Sequence, residues 1–205
     1  MTVWTISAEE GAGGARIAAD LASAADVPLL DFKTLATRAQ GLLGDVPDLE
    51  DLEQRVGGRF NAILLSVALM GAASAGAQAE LEFRRTLPEL GRAVMGEAAR
   101  SPCVILAPSA VAALGDHPGA VHARLRAPLE WRIAAYQREH IVDRGTAEHA
   151  VKRDDHAKHM WVKTLYHGDL DDFRLFSLAV NVSRFSPQRV VEILLAAAGK
   201  GPAAP

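Results

Sequence analysis

Short apolar runs alternate with longer segments of helical periodicity along the chain. The runs have the length and composition of buried strands and lie at residues 3–7, 103–106, 121–125 and 178–182, with a shorter candidate at 28–30. Between the first and the next run, Ile17, Leu21 and Ala25 recur at helical spacing. Strands separated by helices form parallel sheets covered on both faces. The pattern therefore predicts a three-layer α/β fold with a ligand crevice at the carboxyl ends of its strands.

Proline marks several of the helical segments. Residues 59–100 are expected to be mostly helical, with Pro88 as a kink or a helix start. Pro128 is expected to lie in the first turn of another helix, where its missing N–H is not needed. A last helix is predicted at residues 190–198, where apolar residues recur at helical spacing.

One uncharged segment is long enough to be weighed as membrane-spanning. Residues 60–79 contain no charged side chain, and a spanning helix needs about 20 such residues. The bulky apolar side chains all lie in the first half, and the small residues of the second half contribute little transfer energy. A buried core helix is therefore expected. If residues 60–70 are exposed instead, the stripe predicts a homodimer through this helical region.

Composition and charge exclude several classes of protein. Hydrophobic residues make up 49% of the 205 positions and charged residues 23%, which allows a sizeable core. The net charge of −3 argues against nucleic acid or an anionic membrane as partner, since both attract basic proteins. Cys103 is the only cysteine, so no internal disulfide is expected. Because residues 1–10 also lack the basic region of a secretory signal, the expected location is the cytoplasm.

A glycine cluster follows the first predicted strand and precedes the first predicted helix. Glycines let the backbone approach an anion, and a helix start favours negative charge, so Gly11-x-Gly13-Gly14 is a candidate phosphate site. A dinucleotide fold needs a further glycine where Arg16 stands, although Asp31 lies at a suitable distance for its ribose-binding acid. A P-loop needs Gly-Lys-Ser/Thr where Gly13-Gly14-Ala15 stands. Both interpretations, and a plain glycine turn, stay open on these residues alone.

Charged residues elsewhere give weaker signals. If residues 146–165 are helical, His149, His156 and His159 fall on one side of that helix, but no pair has the i, i+4 spacing of ligands on adjacent turns. A solvated face is therefore expected there, and no metal site is predicted. Arg126 ends a predicted strand, which is a good position for a ligand-binding residue. Arg132 is either a ligand-binding residue or part of a surface ion pair.

Several segments, taken in order, resemble the cytidylate kinase-like family. Residues 5–18 are similar to its opening pattern T-I-S-R-E-x-G-S-G-G-R-E-I-A. Residues 27–31, 101–106, 125–133 and 178–183 resemble its second strand, its central strand, its A-P-x-E-x-R-I segment and its L-V-I-N-T-S strand. Asp155, Lys158, Tyr166 and Asp172 fall where the family has its lid motifs.

This resemblance implies a fold and an activity. The family is a branch of the P-loop nucleoside monophosphate kinases, which have a parallel sheet, a nucleotide-binding insertion and a mobile lid. These kinases transfer the γ-phosphoryl group of ATP, with Mg²⁺, to CMP or a related nucleotide, and cations around the phosphates carry the chemistry. Residues 1–200 are accordingly expected to form one P-loop kinase-like domain. It would have a largely helical insertion at 31–100, a lid-like segment at 143–175 and a disordered tail at 201–205.

The resemblance also assigns candidate site residues. The candidates for binding the phosphates and the nucleotide are Ser7, Gly11, Ala12, Gly13, Gly14, Ala15, Asp31 and Arg126. The candidates for catalysis are Arg16, Arg132, Asp155 and Lys158. Arg16 would substitute for a basic residue that the family carries one position earlier. The implied partner is a nucleotide or another small molecule that carries phosphate.

The chain departs from the family's pattern where the chemistry would occur. Ala8 replaces an arginine, Ala15 a basic residue, residues 107–109 a glycine-and-arginine motif, His156 an arginine and Leu170 a tryptophan. Losing one transition-state arginine can cost several powers of ten in rate. The predicted function is therefore ATP-dependent phosphoryl transfer to CMP or a related nucleotide, reduced or lost. The alternative is an inactive nucleotide- or anion-binding regulatory module, and an NAD-dependent oxidoreductase would explain fewer segments.

Overall fold

The sheet is built from the apolar runs of the sequence. The computed structural model describes residues 2–31, 34–35 and 77–199. In that part of the chain, five parallel strands lie in the order β2-β3-β1-β4-β5, and they are β1 Val3–Ala8, β2 Leu29–Asp31, β3 Cys103–Leu106, β4 Ala120–Arg126 and β5 Leu178–Asn181. Each predicted strand is confirmed to within one residue at either end.

Helices cover both faces of the sheet. In the described ranges they are α1 Gly14–Ala25, α2 Ala77–Ala98, α3 Ala110–Leu114, α4 Leu129–His140, α5 Arg144–Tyr166 and α6 Pro187–Ala198, with 3₁₀ turns at Phe173–Leu175 and Val182–Arg184. Local signals explain where some of them begin. Asp143 caps α5 by accepting the N–H of Thr146 at 3.0 Å, and Ser186 caps α6 just before Pro187. The predicted three-layer α/β fold is confirmed.

The strand β1 lies at the centre and sets the position of the glycine cluster. It pairs in parallel with β3 through Ile6 and Leu106, and with β4 through Ala8 and Leu125. Because all five strands run in the same direction, their carboxyl ends lie at one edge of the sheet. The loop from β1 to α1 leaves the sheet at that edge.

Apolar side chains line one face of the sheet. Ile6 of β1 and Leu125 of β4 are fully buried there, against α1 and α6 with their equally buried Leu21 and Leu194. Trp4 crosses this layer, and its indole Nε1 donates to the carbonyl of Leu194 at 3.0 Å. Burying an apolar side chain of this size stabilises the fold by about 1.5–3 kcal/mol. This layer is therefore the main hydrophobic core of the described region.

The opposite face mixes apolar and polar side chains. Ile105 packs there against α2 and α3. On the neighbouring strands Thr5 contacts His122 and Ser7 contacts Arg124, and all of these polar residues are buried. Buried polar groups are costly unless they find partners, so this face fixes specific pairs across β1 and β4.

Some local expectations differ from the structure. Pro88 lies inside α2, so it does not start a helix. Pro128 is the N-cap residue of α4, with ψ of 140°, and lies just before the first turn instead of inside it. Cys103 is buried, as its strand position predicts.

The helical insertion is described only in part. In the segment from 31 to 100, the helix α2 occupies Ala77–Ala98. The apolar stripe at 60–70 and the tail at 201–205 lie outside the described residues. Among the helices of the described region, none has the length and apolar character needed to cross a membrane.

Candidate functional site

The loop between β1 and α1 follows a path that requires glycine. Gly11 and Gly13 have φ angles of 78° and 71°, in the left-handed region that other residues disfavour. A Cβ at Gly11 would lie 2.5 Å from the carbonyl oxygen of Arg132, and a Cβ at Gly14 would collide with that of Ala8. The glycine cluster is therefore needed for the shape and packing of the loop itself.

The N-terminus of α1 is open at Gly13. This residue is the N-cap, no described side chain caps the helix, and a Cβ at Gly13 would meet no atom within 4 Å. The N–H groups of Gly14, Ala15 and Arg16 have no acceptor inside the helix, because an α-helix leaves its first donors unpaired. The N–H of Ala12 is different, since it donates to the carbonyl of Glu9 at 3.0 Å. Free donors at the positive end of a helix dipole suit a phosphate group.

Arg132 lies beneath this loop and is fully engaged by the chain. Its side chain is 8% exposed, and its Nη1 lies 2.6 Å from a carboxylate oxygen of Asp155 and 2.9 Å from the carbonyl oxygen of Glu10. Its Nε lies 3.0 Å from the carbonyl oxygen of Ala127 and 3.2 Å from a carboxylate oxygen of Glu9. Arg132 is thus a buried residue that ties the loop to α4 and α5, and the surface ion pair considered for it is not formed.

Lys158 and Asp155 of α5 hold the same loop from the other side. The Nζ of Lys158 donates to a carboxylate oxygen of Glu10 at 2.7 Å and to the carbonyl of Ala8 at 3.2 Å. Asp155 accepts the backbone N–H of Glu10 at 2.7 Å. Burial alone would raise the pKa of Glu10, but Lys158 and the hydrogen bonds outweigh burial and hold that pKa below its usual value of 4.5. The carboxyl group of Glu10 is therefore ionised at neutral pH.

Arg126 lies at the carboxyl end of β4, beside a cleft. Its guanidinium contacts Glu9 at 3.0 Å and Asp171 at 3.3 Å, and its side chain is about half exposed. The cleft has a volume of about 380 Å³ and is lined by Glu9, Arg126, Ala127, Pro128, Ala179, Val180 and Asn181. It opens where β4 and β5 end, which is the edge at which α/β proteins bind ligands.

Ser7 belongs to the buried polar face of the sheet. Its hydroxyl accepts from Nη1 of Arg124 at 2.9 Å, and both residues are 2% exposed. Burial lowers the pKa of Arg124 from its usual range. Ser7 and Arg124 are register partners on β1 and β4, and the Glu9–Arg126 ion pair lies two residues further along both segments.

Arg16 and Asp31 lie away from this network. Arg16 is exposed in the first turn of α1, and its contact is Asp20 at 3.8 Å. Asp31 ends β2 and accepts the N–H and the hydroxyl of Thr34 at 2.7 and 2.6 Å. The strand β3 separates β2 from β1. The structure therefore brings together the glycine cluster, Arg126, Arg132, Asp155 and Lys158, and it gives Asp31 a local capping role.

Glu9 is the residue at this site that sequence reasoning overlooked. Its carboxylate contacts Arg126 and Arg132 and accepts the N–H of Ala127 at 3.1 Å, and the residue is only 8% exposed. The sequence carries a signal for it, because an acid directly after a buried strand lies at the ligand-binding edge of the sheet. Its arginine partners lie far along the chain, so the sequence does not show that Glu9 is shared between them.

A further group of side chains with metal-ligand chemistry lies next to Arg126. The ligand atoms of His159, Asp169 and Asp171 are all within 4.8 Å of one another. In the part of the chain that the structure describes, no other three His, Cys, Asp or Glu side chains come together in this way. His159 comes from α5 and the aspartates from the turn that follows it. The other two histidines of the predicted face, His149 and His156, are exposed.

Comparison with known families and structures agrees with this geometry. The sequence profile of the cytidylate kinase-like family matches residues 3–184, from the first residue of β1 to the 3₁₀ turn after β5. No curated protein matches the chain.

Solved structures share the fold at low sequence identity. An uncharacterized protein from Eubacterium ventriosum is similar with a TM-score of 0.67 and 16% identity, over 98% of this chain and 100% of that one. Shikimate kinase from Bacteroides thetaiotaomicron is similar with a TM-score of 0.50 and 12% identity, over 95% of this chain and 97% of the other. These similarities show an arrangement of sheet and helices of the P-loop kinase type.

Proposed function

The chain belongs to the cytidylate kinase-like family, and we propose that it binds the phosphate groups of a nucleotide at the β1–α1 loop while transferring a phosphoryl group slowly or not at all. The observation that carries this proposal is that the basic side chains around the loop are already paired with carboxylates of the chain. Arg126, Arg132 and Lys158 each pair with a carboxylate of the chain at 2.6–3.3 Å. Kinase chemistry depends on cations that face the transferred phosphate, and these cations face acidic side chains.

The support for binding comes from the backbone. The uncapped start of α1 offers N–H donors to an anion, and the loop is open at Gly13. These donors do not depend on the basic side chains that the family carries at the positions of Ala8 and Ala15. A phosphate can therefore be bound at this loop although the nearby cations are already neutralised.

The residues fit the phosphates of ATP better than they fit Mg²⁺. Membership of a kinase-like family implies the use of a nucleotide and a metal ion in general terms. In a P-loop a Ser or Thr hydroxyl binds Mg²⁺, and Ala15 stands at that position here. The carboxylates nearest the loop, Glu9, Glu10 and Asp155, are held in ion pairs. The proposed ligand is therefore the nucleotide, with CMP or a related nucleotide as the acceptor that the family suggests, in a cytoplasmic setting.

Calorimetric titration of the tag-free protein with ATP, ADP and CMP tests this function. We expect binding of a phosphate-bearing nucleotide that Gly13→Val weakens at least tenfold, because a branched side chain strains a φ of 71° and fills the open side of the loop. Gly96→Ala is the matched control, since a Cβ at Gly96 inside α2 meets no atom within 4 Å. Ala15→Arg should strengthen binding by adding a cation to the first turn of α1.

The absence of binding in both the native chain and the Ala15→Arg variant would contradict the proposed function. If neither the native chain nor Ala15→Arg binds any of these nucleotides or inorganic phosphate, the glycine cluster serves only the packing of the loop, and the proposed function is wrong.

An active kinase is the second candidate function. Arg126, Arg132 and Lys158 already surround the loop, so a phosphate that displaced their carboxylate partners would acquire the cations that catalysis needs. A coupled assay of ADP release with ATP and CMP separates the candidates. Turnover in the range of about 1–100 s⁻¹ that is typical of kinases would establish the active enzyme, and nucleotide binding without turnover would establish the binding protein.

A further inference from the structure

His159 has an unusual arrangement of its two ring nitrogens. Its Nδ1 lies 2.9 Å from the backbone carbonyl oxygen of Asp155. A carbonyl oxygen can only accept, so Nδ1 carries the hydrogen in this contact, and the neutral ring then has its lone pair on Nε2. That Nε2 is buried and makes no hydrogen bond. Histidines that bind metals are held in the same way, with the other ring nitrogen donating to a carbonyl or a carboxylate.

Two carboxylates face this lone pair. An oxygen of Asp171 lies 3.4 Å from Nε2 of His159, and an oxygen of Asp169 completes a set whose members are within 4.8 Å of one another. The other oxygen of Asp171 contacts Arg126 at 3.3 Å, and Asp169 accepts the backbone N–H of Asp171 at 2.9 Å. Both aspartates are exposed, and the turn places their carboxylate oxygens next to the imidazole.

An imidazole nitrogen and carboxylate oxygens that face one another are held together by a cation between them, which is either a proton or a metal ion. We propose that His159, Asp169 and Asp171 bind one divalent transition-metal ion of the zinc type, a site separate from the β1–α1 loop. Metal–nitrogen and metal–oxygen bonds of about 2.0–2.2 Å in a tetrahedral complex separate two donor atoms by roughly 3.3–3.6 Å. The spacing of 3.4 Å between Nε2 of His159 and the Asp171 oxygen matches that value.

The donor set selects the class of metal. An imidazole nitrogen with carboxylate oxygens suits Zn²⁺, Co²⁺ or Mn²⁺, whereas Mg²⁺ and Ca²⁺ prefer oxygen ligands throughout. A divalent ion neutralises the negative charges of Asp169 and Asp171. It would bind the Asp171 oxygen near His159, while the other oxygen of Asp171 keeps its contact with Arg126. With three protein donors, a fourth position would be open to water or to a ligand group.

Titration of Zn²⁺ and Co²⁺ into the tag-free chain without nucleotide tests the site. We expect one ion per chain, a visible absorption band for bound Co²⁺, and a Kd at least about tenfold weaker in each of His159→Ala, Asp169→Asn and Asp171→Asn, since even partners of metal ligands cost about 10–100-fold when removed. His156→Ala is the matched control, because His156 is an exposed histidine of the same helix. It should bind the metals like the native chain.

Nitrogen-15 spectra of the histidine rings give a second measurement. Bound Zn²⁺ should shift Nε2 of His159 while Nδ1 keeps its hydrogen. Either of two results would overturn the proposal: Zn²⁺ binding equal in the native chain and His159→Ala, or a loss in His156→Ala as large as that in His159→Ala. In both cases His159 would not be a specific ligand of the metal. Because no nucleotide is present, these results are independent of the proposed function.

Discussion

The two faces of β1 and β4 show how differently apolar and polar burial define a structure. On the face covered by α1 and α6, Ile6 and Leu125 are fully buried among apolar side chains. On the opposite face, Ser7 and Arg124 are almost as buried, and each depends on the other for a hydrogen bond. Apolar burial is non-directional, whereas a buried polar group needs one particular partner at one distance.

The polar face continues beyond the sheet into the candidate site. The pairs Thr5–His122 and Ser7–Arg124 are followed by Glu9–Arg126 at the carboxyl edge. Each pair joins β1, or the loop after it, to β4 in the register of the parallel strands. The apolar face therefore supplies stability, and the polar face positions the charges around the loop. Changes on the two faces should have separable effects on stability and on ligand binding.

The largest expected effect comes from removing the buried cation at the end of the polar face. Arg132→Ala leaves the carboxylates of Glu9 and Asp155 close together without their partner. Breaking a buried ion pair from one side costs about 3–5 kcal/mol, and urea unfolding should show a loss of free energy in that range. Arg126→Ala is the control, because Arg126 is half exposed and should cost at most about 1 kcal/mol.

An equal loss in these two arginine variants would contradict the contrast between the buried and the exposed ion pair. It would mean that the burial of Arg132 does not make its ion pairs more important for stability than those of Arg126.

The apolar face should respond in stability alone. Leu125→Ala removes a fully buried side chain of β4 and leaves a cavity against α1 and α6. Such substitutions cost about 2–5 kcal/mol, which urea unfolding measures. Nucleotide affinity measured by calorimetry on the folded variant should stay within about twofold of the native value. A tenfold change in affinity would show that the apolar layer also sets the geometry of the loop, against the separation of the two faces.

The smallest expected effect is a pH dependence on the polar face. Burial lowers the pKa of His122 below its usual 6.5, although the hydrogen bond to Gly115 opposes this. Below pH 6.5 the unfolded chain therefore binds more protons than the folded one. The contribution of His122 to stability is complete above that pH and is lost as the pH falls, by at most about 1.4 kcal/mol per pH unit.

Urea unfolding between pH 5 and 8 measures this slope. His122→Gln should flatten it, because glutamine does not titrate in this range. An unchanged slope in His122→Gln would show that the pH dependence of stability comes from groups other than His122.

The sequence predicted the elements of this fold because their signals are local. The strands at 103–106 and 178–182 are apolar runs between turn residues, and the structure has strands there within one residue. The glycine loop between β1 and α1 could also be predicted, because glycine is the residue that most readily adopts the positive φ angles found at Gly11 and Gly13. Order along the chain was enough to identify the family, whose profile spans residues 3–184.

Pairing between distant residues was decided only by the tertiary structure. Arg132 donates a hydrogen bond to the carbonyl of Glu10, which is 122 residues away in sequence. Asp155 accepts the N–H of Glu10, from which it is separated by 145 residues. No periodicity reports such contacts, because the crossing of α4 and α5 over the β1–α1 loop brings them together. The sequence by itself determined which residues form strands, helices and the glycine loop. The fold decided which charges neutralise one another, since the partner of a buried charge is set by distance in space and not by position along the chain.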